Sequence, residues 1–369
     1  MSEAEGGKKI VDWGILLPVF LLGLIGIFTL YGAAASEVDY LQKRLCLKQA
    51  VWFSGGMVMV LFFLLFNYKR LFSWAEVLYF VSLLLLITVL LVGKEAGGAR
   101  RWLPLGPFSI QPSELVKISL MIMLAKYYSQ KPIVEGLGLR DLVVPMLLTA
   151  VPFVLILAQP DLGTGMLLVL IASLMTAFIK VKRRTLIAFG GALLVIAPLI
   201  WMFVLKPYQK LRVLTFFNPD RDPLGAGYHI IQSKIAIGSG MVFGKGYMQG
   251  TQNALAFLPE QHTDFVFSVL SEEWGLAGAG VVLLLYFFII VWGISIAYKC
   301  KDPFGIILSA GATGVIFWQV FINVGMVMGL MPVVGVPLPL ISYGGSSVLT
   351  FMLAIAILIN VSAKRSWIE

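Results

Sequence analysis

Apolar runs of about twenty residues recur along this chain and leave it few possible folds. Ten such runs are predicted, near residues 13–34, 50–66, 74–93, 113–128, 141–158, 162–179, 185–205, 264–298, 304–330 and 342–362. A helix of roughly 20 apolar residues crosses the hydrocarbon core and satisfies its own backbone hydrogen bonds there. Charged residues make up only 13% of the chain, against about 25% in a soluble domain. The sequence predicts an all-α integral membrane protein, one polytopic unit over 1–369, with ten transmembrane helices.

The distribution of lysine and arginine predicts the orientation of these helices. Both termini and the loops after the second, fourth, sixth and eighth predicted helices carry most of the short-loop positive charge. Because such loops face the cytoplasm, both termini are predicted to be cytoplasmic. The net charge of +9 is explained by these basic loops and does not indicate a basic face for nucleic acid. Nucleic acid is therefore excluded as a partner. The longest connection, 206–263 between helices 7 and 8, is predicted to be extracytoplasmic, and its segment 227–237 resembles a helix lying in the interface.

The stretch 259–275 places polar side chains where a long apolar run begins. Glu260 and His262 precede the eighth predicted helix, and Asp264 lies at its start. Nothing in core packing requires a carboxylate at this boundary, since ionisable groups within a membrane are costly and usually functional. Asp264 is therefore the first candidate functional residue.

Helical spacing predicts how Asp264 relates to later polar residues. A helix beginning near Thr263 would place Asp264, Ser268 and Glu272 on one face. Glu272 would then lie about 12 Å along the helix from Asp264. This exceeds the roughly 6.5–9.5 Å of a paired-carboxylate hydrolase, so the spacing favours one carboxylate acting alone.

A second polar group lies in 100–117, where Pro112 and Ser113 are typical of a helix start, with Ser113 as the expected N-cap. Glu114 and Lys117 are three residues apart and share a face. Two interpretations stay open: a capping carboxylate with a neighbouring ion pair, or a buried pair that lines a polar cavity.

Cations in the predicted outer loop oppose the usual positive-inside bias. They are Lys206, Lys210, Arg212, Arg221, Lys234 and Lys245. Such residues suit an anionic ligand such as a diphosphate, whereas the alternative is ordinary solvated loop charge. Arg212, near Tyr208 and before an apolar patch, is the strongest candidate for ligand binding.

Two further segments combine turn residues with polar side chains. The segment 337–347 has prolines, a Gly-Gly pair and the hydroxyls of Ser342, Tyr343, Ser346 and Ser347, and close helix packing is its favoured role. Asp161, in the break at 159–165, suits helix capping and ligand contact equally.

The chain has no phosphate-binding glycine loop, which disfavours a nucleotide-driven pump.

At these motifs the chain resembles the SEDS family (shape, elongation, division and sporulation), and its RodA branch more than its FtsW branch. The segments that carry the resemblance are 100–102, 111–117, 159–163, 218–238, 258–265 and 341–347. They cover nearly the whole chain in family order. The resemblance implies a peptidoglycan glycosyltransferase of the cytoplasmic membrane that polymerises lipid II at the outer face during cell elongation. It also implies an undecaprenyl-diphosphate-linked glycan as donor, with a class B penicillin-binding transpeptidase and the elongation machinery as partners.

The resemblance implies that Asp264 is the essential carboxylate, and the chemistry agrees. Glycosyl transfer from a lipid diphosphate needs a base for the attacking hydroxyl and cations for the leaving diphosphate. The candidate substrate-binding residues are Glu114, Lys117, Arg101, Arg212, Tyr208, Lys234, Glu260, His262 and Ser346.

No cofactor is assigned, because the sequence contains no cluster of metal ligands. A single carboxylate such as Asp264, with diphosphate oxygens, could hold Mg²⁺ or Mn²⁺. A flippase for lipid-linked precursors is the alternative function, favoured by the break at 159–165 and by intramembrane charge. A third alternative is a scaffold that only recruits partners.

Overall fold

The computed structural model describes residues 12–34, 39–96, 99–106, 108–131, 136–222, 225–255, 257 and 261–364. Its first seven helices are α1 (Trp13–Ala33), α2 (Asp39–Leu65), α3 (Lys69–Val92), α4 (Pro112–Ser129), α5 (Leu139–Ala158), α6 (Leu162–Ala177) and α7 (Arg183–Leu199, continued by a π-helical turn at Ile200–Val204). Three helices follow in the long connection: α8 (Pro207–Phe217), α9 (Ala226–Ser239) and α10 (Thr251–Ala254). The last three are α11 (Val266–Lys299), α12 (Pro303–Val327) and α13 (Gly345–Lys364).

Ten of these helices agree with the ten predicted spans. Within the described residues, eight helices are long and apolar enough to cross a membrane. The ninth, α6, has only 16 residues, and the tenth, α4, has 18 residues and carries Glu114 and Lys117. The prediction of an all-α, multi-pass membrane protein is confirmed. Helices α12 and α13 are the most buried, with 78% and 83% of their apolar windows inside the bundle, so they form its centre.

The structure differs from the predicted boundaries at the side expected to face outward. Helix α2 begins at Asp39 rather than near residue 50, so Lys43, Arg44 and Lys48 lie on a helix and not in a loop. Lysine, arginine and glutamine are good helix formers, which lets the helix extend beyond its apolar segment. Hydropathy finds only the apolar part, which explains the late predicted start.

The long connection and the segment before α4 contain structure that hydropathy did not predict. Strands β1 (Lys94–Ala96), β2 (Ala99–Leu105) and β3 (Phe108–Ile110) form a small antiparallel sheet in the order β1-β2-β3. Helix α9 covers the predicted interfacial segment 227–237 and packs against α11 and α12. The connection is therefore a folded cover over one end of the bundle.

Helix α11 has a break at Gly275, where φ is 65° and ψ is −165°. Two backbone N–H groups that follow the break donate to carbonyls of the segment before α10 instead of to carbonyls of α11. Leu276 donates to the carbonyl of Met241 at 2.9 Å, and Ala277 donates to that of Val242 at 2.9 Å. The first turns of α11 are thereby joined to the cover through backbone contacts that any side chain at Gly275 would obstruct.

We expect Gly275→Ala to destabilise the protein, because the backbone conformation at Gly275 is essentially restricted to glycine. Holding another residue in this conformation costs about 1–3 kcal/mol. A Cβ would also come within 2.3 Å of the Gly244 nitrogen. Thermal unfolding in detergent measures the effect. Gly280→Ala is the matched control on the same helix, since a Cβ at Gly280 meets nothing within 4 Å. Equal melting temperatures for the two variants would contradict the assigned role of the break.

Candidate functional site

Asp264 lies in a turn, Gln261–Phe265, and not on a helix. Helix α11 begins at Val266, so the expectation that the helix starts near Thr263 is wrong. A run of apolar residues predicts the body of a helix better than its first residue. Asp264 is half-buried and precedes the helix.

The predicted row of Asp264, Ser268 and Glu272 on one helical face is also wrong. Glu272 is completely buried, and its Oε1 accepts from Lys245 Nζ at 2.6 Å and from Thr251 Oγ1 at 3.1 Å. Ser268 bonds the hydroxyl of a serine on α9 at 2.8 Å. Glu272 and Ser268 thus fasten the cover to α11. Asp264 remains the candidate that acts alone.

The connection between α12 and α13, residues 328–344, holds the turn in place. The backbone N–H of Tyr343 donates to the carbonyl of His262 at 2.8 Å. The hydroxyl of Ser342 donates to the carbonyl of Thr263 at 2.5 Å. Two successive carbonyls of the turn are therefore fixed before the chain reaches Asp264.

The next carbonyl of the turn, that of Asp264, accepts from Asn323 Nδ2 at 3.0 Å. The same nitrogen donates to the carbonyl of Val336 at 2.7 Å. Gly335, next to Val336, lies so close that a Cβ there would be 3.2 Å from Asp264 Oδ2. Three successive backbone carbonyls are thus held by α12 and the 328–344 connection, and Gly335 lies beside the carboxylate.

This connection is irregular yet buried, which is tolerated in a membrane protein only where backbone groups find partners inside the protein. Leu338 and Ile341 are fully buried. Gln49, on α2, donates through Nε2 to the carbonyls of Leu340 at 3.3 Å and Ser342 at 3.1 Å. The structural role expected for 337–347 agrees with this packing.

Glu114 and Lys117 form a buried ion pair, with Lys117 Nζ 2.7 Å from Glu114 Oε1. The relative exposure is 3% for Glu114 and 1% for Lys117. The expected N-cap, Ser113, is wrong: the cap is Gln111, because Pro112 takes the first helical position that suits proline. Glu114 Oε2 is buried and has no hydrogen-bond partner among the described atoms. These contacts favour the buried-pair interpretation over simple capping.

Arg101 contacts the break between α5 and α6. Its Nη2 donates to the carbonyl of Pro160 at 2.7 Å, and its Nε lies 3.6 Å from Asp161 Oδ2. Asp161 in turn caps α6 by accepting from the Thr164 nitrogen at 3.2 Å. For Asp161, capping is the role that these contacts show, and Arg101 orients it.

The remaining candidates are dispersed around the same end of the bundle. Ser346 accepts from the backbone nitrogen of Gln111 at 3.1 Å and so joins α13 to α4. Lys234 is exposed on α9, its amine 2.7 Å from the point where a Cβ of Gly329 would lie. Arg212 is half-buried on α8.

The last three candidates are Glu260, Tyr208 and His262. Glu260 and the side chain of Tyr208 lie outside the described residues. His262 is half-buried, and its Nδ1 has no hydrogen-bond partner among the atoms that the structure describes. Among these same residues, no three His, Cys, Asp or Glu side chains come together as a metal site.

Tyr343 is a further titratable group next to the turn. Burial raises the pKa of its phenol above the ordinary value, and nearby Arg44 opposes this effect. A phenol with a raised pKa stays protonated at neutral pH and cannot serve as the base. Asp264 is thereby distinguished from its aromatic neighbour.

Sequence reasoning missed Asn323 and Gly335. A signal for Asn323 existed: Gln319 and Asn323 are amides four residues apart in an otherwise apolar helix, and both are fully buried. Intramembrane polar residues are usually functional or bridge helices. Gly335 gave no signal, because its role depends on a contact with a distant segment.

The fold is that of a multi-pass membrane protein, and its candidate site centres on Asp264, in a turn whose backbone is held by α12 and the 328–344 connection. The FtsW/RodA/SpoVE family model, described as a cell cycle protein, matches residues 10–367. The peptidoglycan glycosyltransferase MrdB of Escherichia coli K12 is 38% identical over 377 residues, with 100% of this chain and 99% of that protein covered. The peptidoglycan glycosyltransferase RodA of Treponema pallidum (strain Nichols) is 33% identical, with 97% and 99% covered.

A solved structure agrees with these relatives. One chain of a peptidoglycan synthase complex, described as coordinating polymerization and crosslinking, matches with a TM-score of 0.82 at 34% identity, with 96% of this chain and 98% of that chain covered. The present chain belongs to the FtsW/RodA/SpoVE family. The resemblance found from its motifs is confirmed.

Proposed function

We propose that this chain is a peptidoglycan glycosyltransferase of the RodA type, which polymerises lipid II during cell elongation, with Asp264 as general base. The carrying observation is the fixed turn: three successive carbonyls, of His262, Thr263 and Asp264, are held by groups from the 328–344 connection and α12. A base that must meet one substrate hydroxyl benefits from such fixation. The glycosyltransferase relatives support the same reaction class.

The reaction follows from the chemistry of the groups present. The 4-hydroxyl of the lipid II GlcNAc attacks the anomeric carbon of the terminal MurNAc on the growing chain. Asp264 takes the hydroxyl proton as the new C–O bond forms. The bond to the diphosphate breaks with inversion, and the undecaprenyl diphosphate leaves with the electron pair. Arg212 and Lys234 are the candidates to stabilise its charge.

Glu114 and Lys117 are proposed to line the substrate cavity, since helix α4, which carries them, packs against α12 and α13. Arg101, His262, Glu260, Tyr208 and Ser346 stay candidate substrate contacts. A divalent cation at Asp264 would take its other ligands from the substrate diphosphate.

The orientation and the partners belong to the same proposal. Both termini face the cytoplasm, which places Asp264 at the outer face of the cytoplasmic membrane. A class B penicillin-binding transpeptidase is the proposed partner, supported by similarity to a chain from a peptidoglycan synthase complex. Lipid II and the undecaprenyl-diphosphate-linked glycan are the proposed substrates.

Purified protein given lipid II in detergent tests the activity. We expect glycan strands that a muramidase digests, because polymerisation requires no membrane gradient. The flippase alternative predicts no polymer in detergent but movement of lipid II between leaflets of vesicles. Translocation without polymer, with the transpeptidase partner also present, would contradict the proposed function.

A further inference from the structure

A single amide connects the turn of Asp264 to the segment lying against its carboxylate. Asn323 is fully buried on α12, and its Nδ2 donates to the carbonyls of Asp264 at 3.0 Å and Val336 at 2.7 Å. Both partners are acceptors, so the amide nitrogen and not its oxygen must face them. The two N–H groups of Asn323 thus set the spacing between the turn and the 335–336 backbone.

Gly335 shows why this spacing matters. Its φ is +70°, and a Cβ added there would lie 3.2 Å from Asp264 Oδ2. The carboxylate therefore lies over a backbone surface that has no side chain. Moving Val336 relative to Asp264 would move this surface against the carboxylate.

We infer that Asn323 is a positioning residue for the Asp264 carboxylate, and that Gly335 keeps open the space which the carboxylate occupies. This inference rests on the proposed function of Asp264 as general base. A base must come within about 2.6–3.2 Å of the proton that it removes. A displacement of about 1 Å costs on the order of 10²-fold in rate. Asn323 acts through Asp264 and does not itself carry the proton.

The chain offers a matched control. Asn360, fully buried on α13 near its far end, donates through Nδ2 to the carbonyls of Phe63 and Phe66 and accepts from the nitrogen of Tyr68. Like Asn323, it is a buried amide whose Nδ2 donates to two backbone carbonyls. Asn323→Leu and Asn360→Leu therefore remove the same kind of contact, one beside Asp264 and one at the other end of the bundle.

Polymerisation kinetics with purified full-length protein and lipid II test the inference. We expect Asn323→Leu to lower kcat by about 10²-fold, with KM for lipid II nearly unchanged, because the base is displaced while the substrate contacts remain. Asn360→Leu should lower the melting temperature by a similar amount but leave kcat within about twofold. Equal kcat for the two variants would reduce Asn323 to a structural role.

Gly335→Ala provides the second variant, should Asn323→Leu fail to fold. It leaves the amide in place but adds a methyl group against the carboxylate, so kcat should again fall while KM is retained. A normal kcat for Gly335→Ala would overturn the inference.

Asp264→Asn, measured in parallel, separates this inference from the proposed function. Normal activity of Asp264→Asn would refute the general base itself. An inactive Asp264→Asn, together with Asn323→Leu and Gly335→Ala at normal kcat, would refute only the positioning role. If any rate of Asp264→Asn remains measurable, adding Asn323→Leu should lower it little, since the position of an absent base no longer matters.

Discussion

Asp264→Asn is expected to lower the rate of lipid II polymerisation by about 10²–10⁴-fold, the usual contribution of a general base. The substitution keeps the size of the side chain and its ability to hydrogen-bond, but the amide cannot accept the proton. The contact from Asn323 to the backbone carbonyl of Asp264 does not involve the replaced group, so the turn should persist. Polymer formed by the purified variant measures the effect.

Two comparisons make this expectation specific. Asp141→Asn makes the same chemical change at the start of α5, on the side predicted to face the cytoplasm, and should leave the rate unchanged. His262→Ala should be milder than Asp264→Asn, because His262 is proposed to orient substrate and not to carry the proton. Binding of lipid II and of the transpeptidase should survive in Asp264→Asn. Near-normal glycan synthesis by Asp264→Asn would contradict the assignment and make Glu114 the next candidate for the base.

Breaking the Glu114–Lys117 pair is expected to have the second largest effect. Removing one partner leaves the other charge buried, which costs about 3–5 kcal/mol when the pair is fully desolvated. Relative exposures of 3% for Glu114 and 1% for Lys117 meet that condition. Glu114→Gln and Lys117→Met should therefore each reduce both stability and polymerisation.

The double variant Glu114→Gln/Lys117→Met distinguishes a coupled pair from two independent side chains. It should lose less stability than the sum of the single variants, because neither charge is then left unpaired. Lys131 and Asp141, 3.2 Å apart and about one third exposed, provide the control pair. Their replacement should change stability little, since water and salt screen exposed pairs. Polymerisation at the normal rate by both single variants would limit Glu114 and Lys117 to a structural role.

Local patterns determined much of what could be predicted. Hydropathy located all ten apolar helices, because burial in lipid acts on each segment independently. The three-residue spacing placed Glu114 and Lys117 on one face, and their contact at 2.7 Å agrees. The polar boundary at Asp264 was visible because nothing in an apolar run requires a carboxylate there. These signals all lie within one helix or one turn.

The tertiary structure decided which groups surround that carboxylate. Asn323 lies 59 positions from Asp264, and Ser342 lies 79 positions from Thr263. No local period relates such residues, and the connection that carries Ser342 is irregular. The start of α11 at Val266 likewise depends on those contacts, which hold the preceding residues in a turn and prevent a further helical residue at Asp264. The sequence by itself determined a membrane bundle with a carboxylate at the start of its eighth span, and only long-range packing determined how the turn that carries this carboxylate is held.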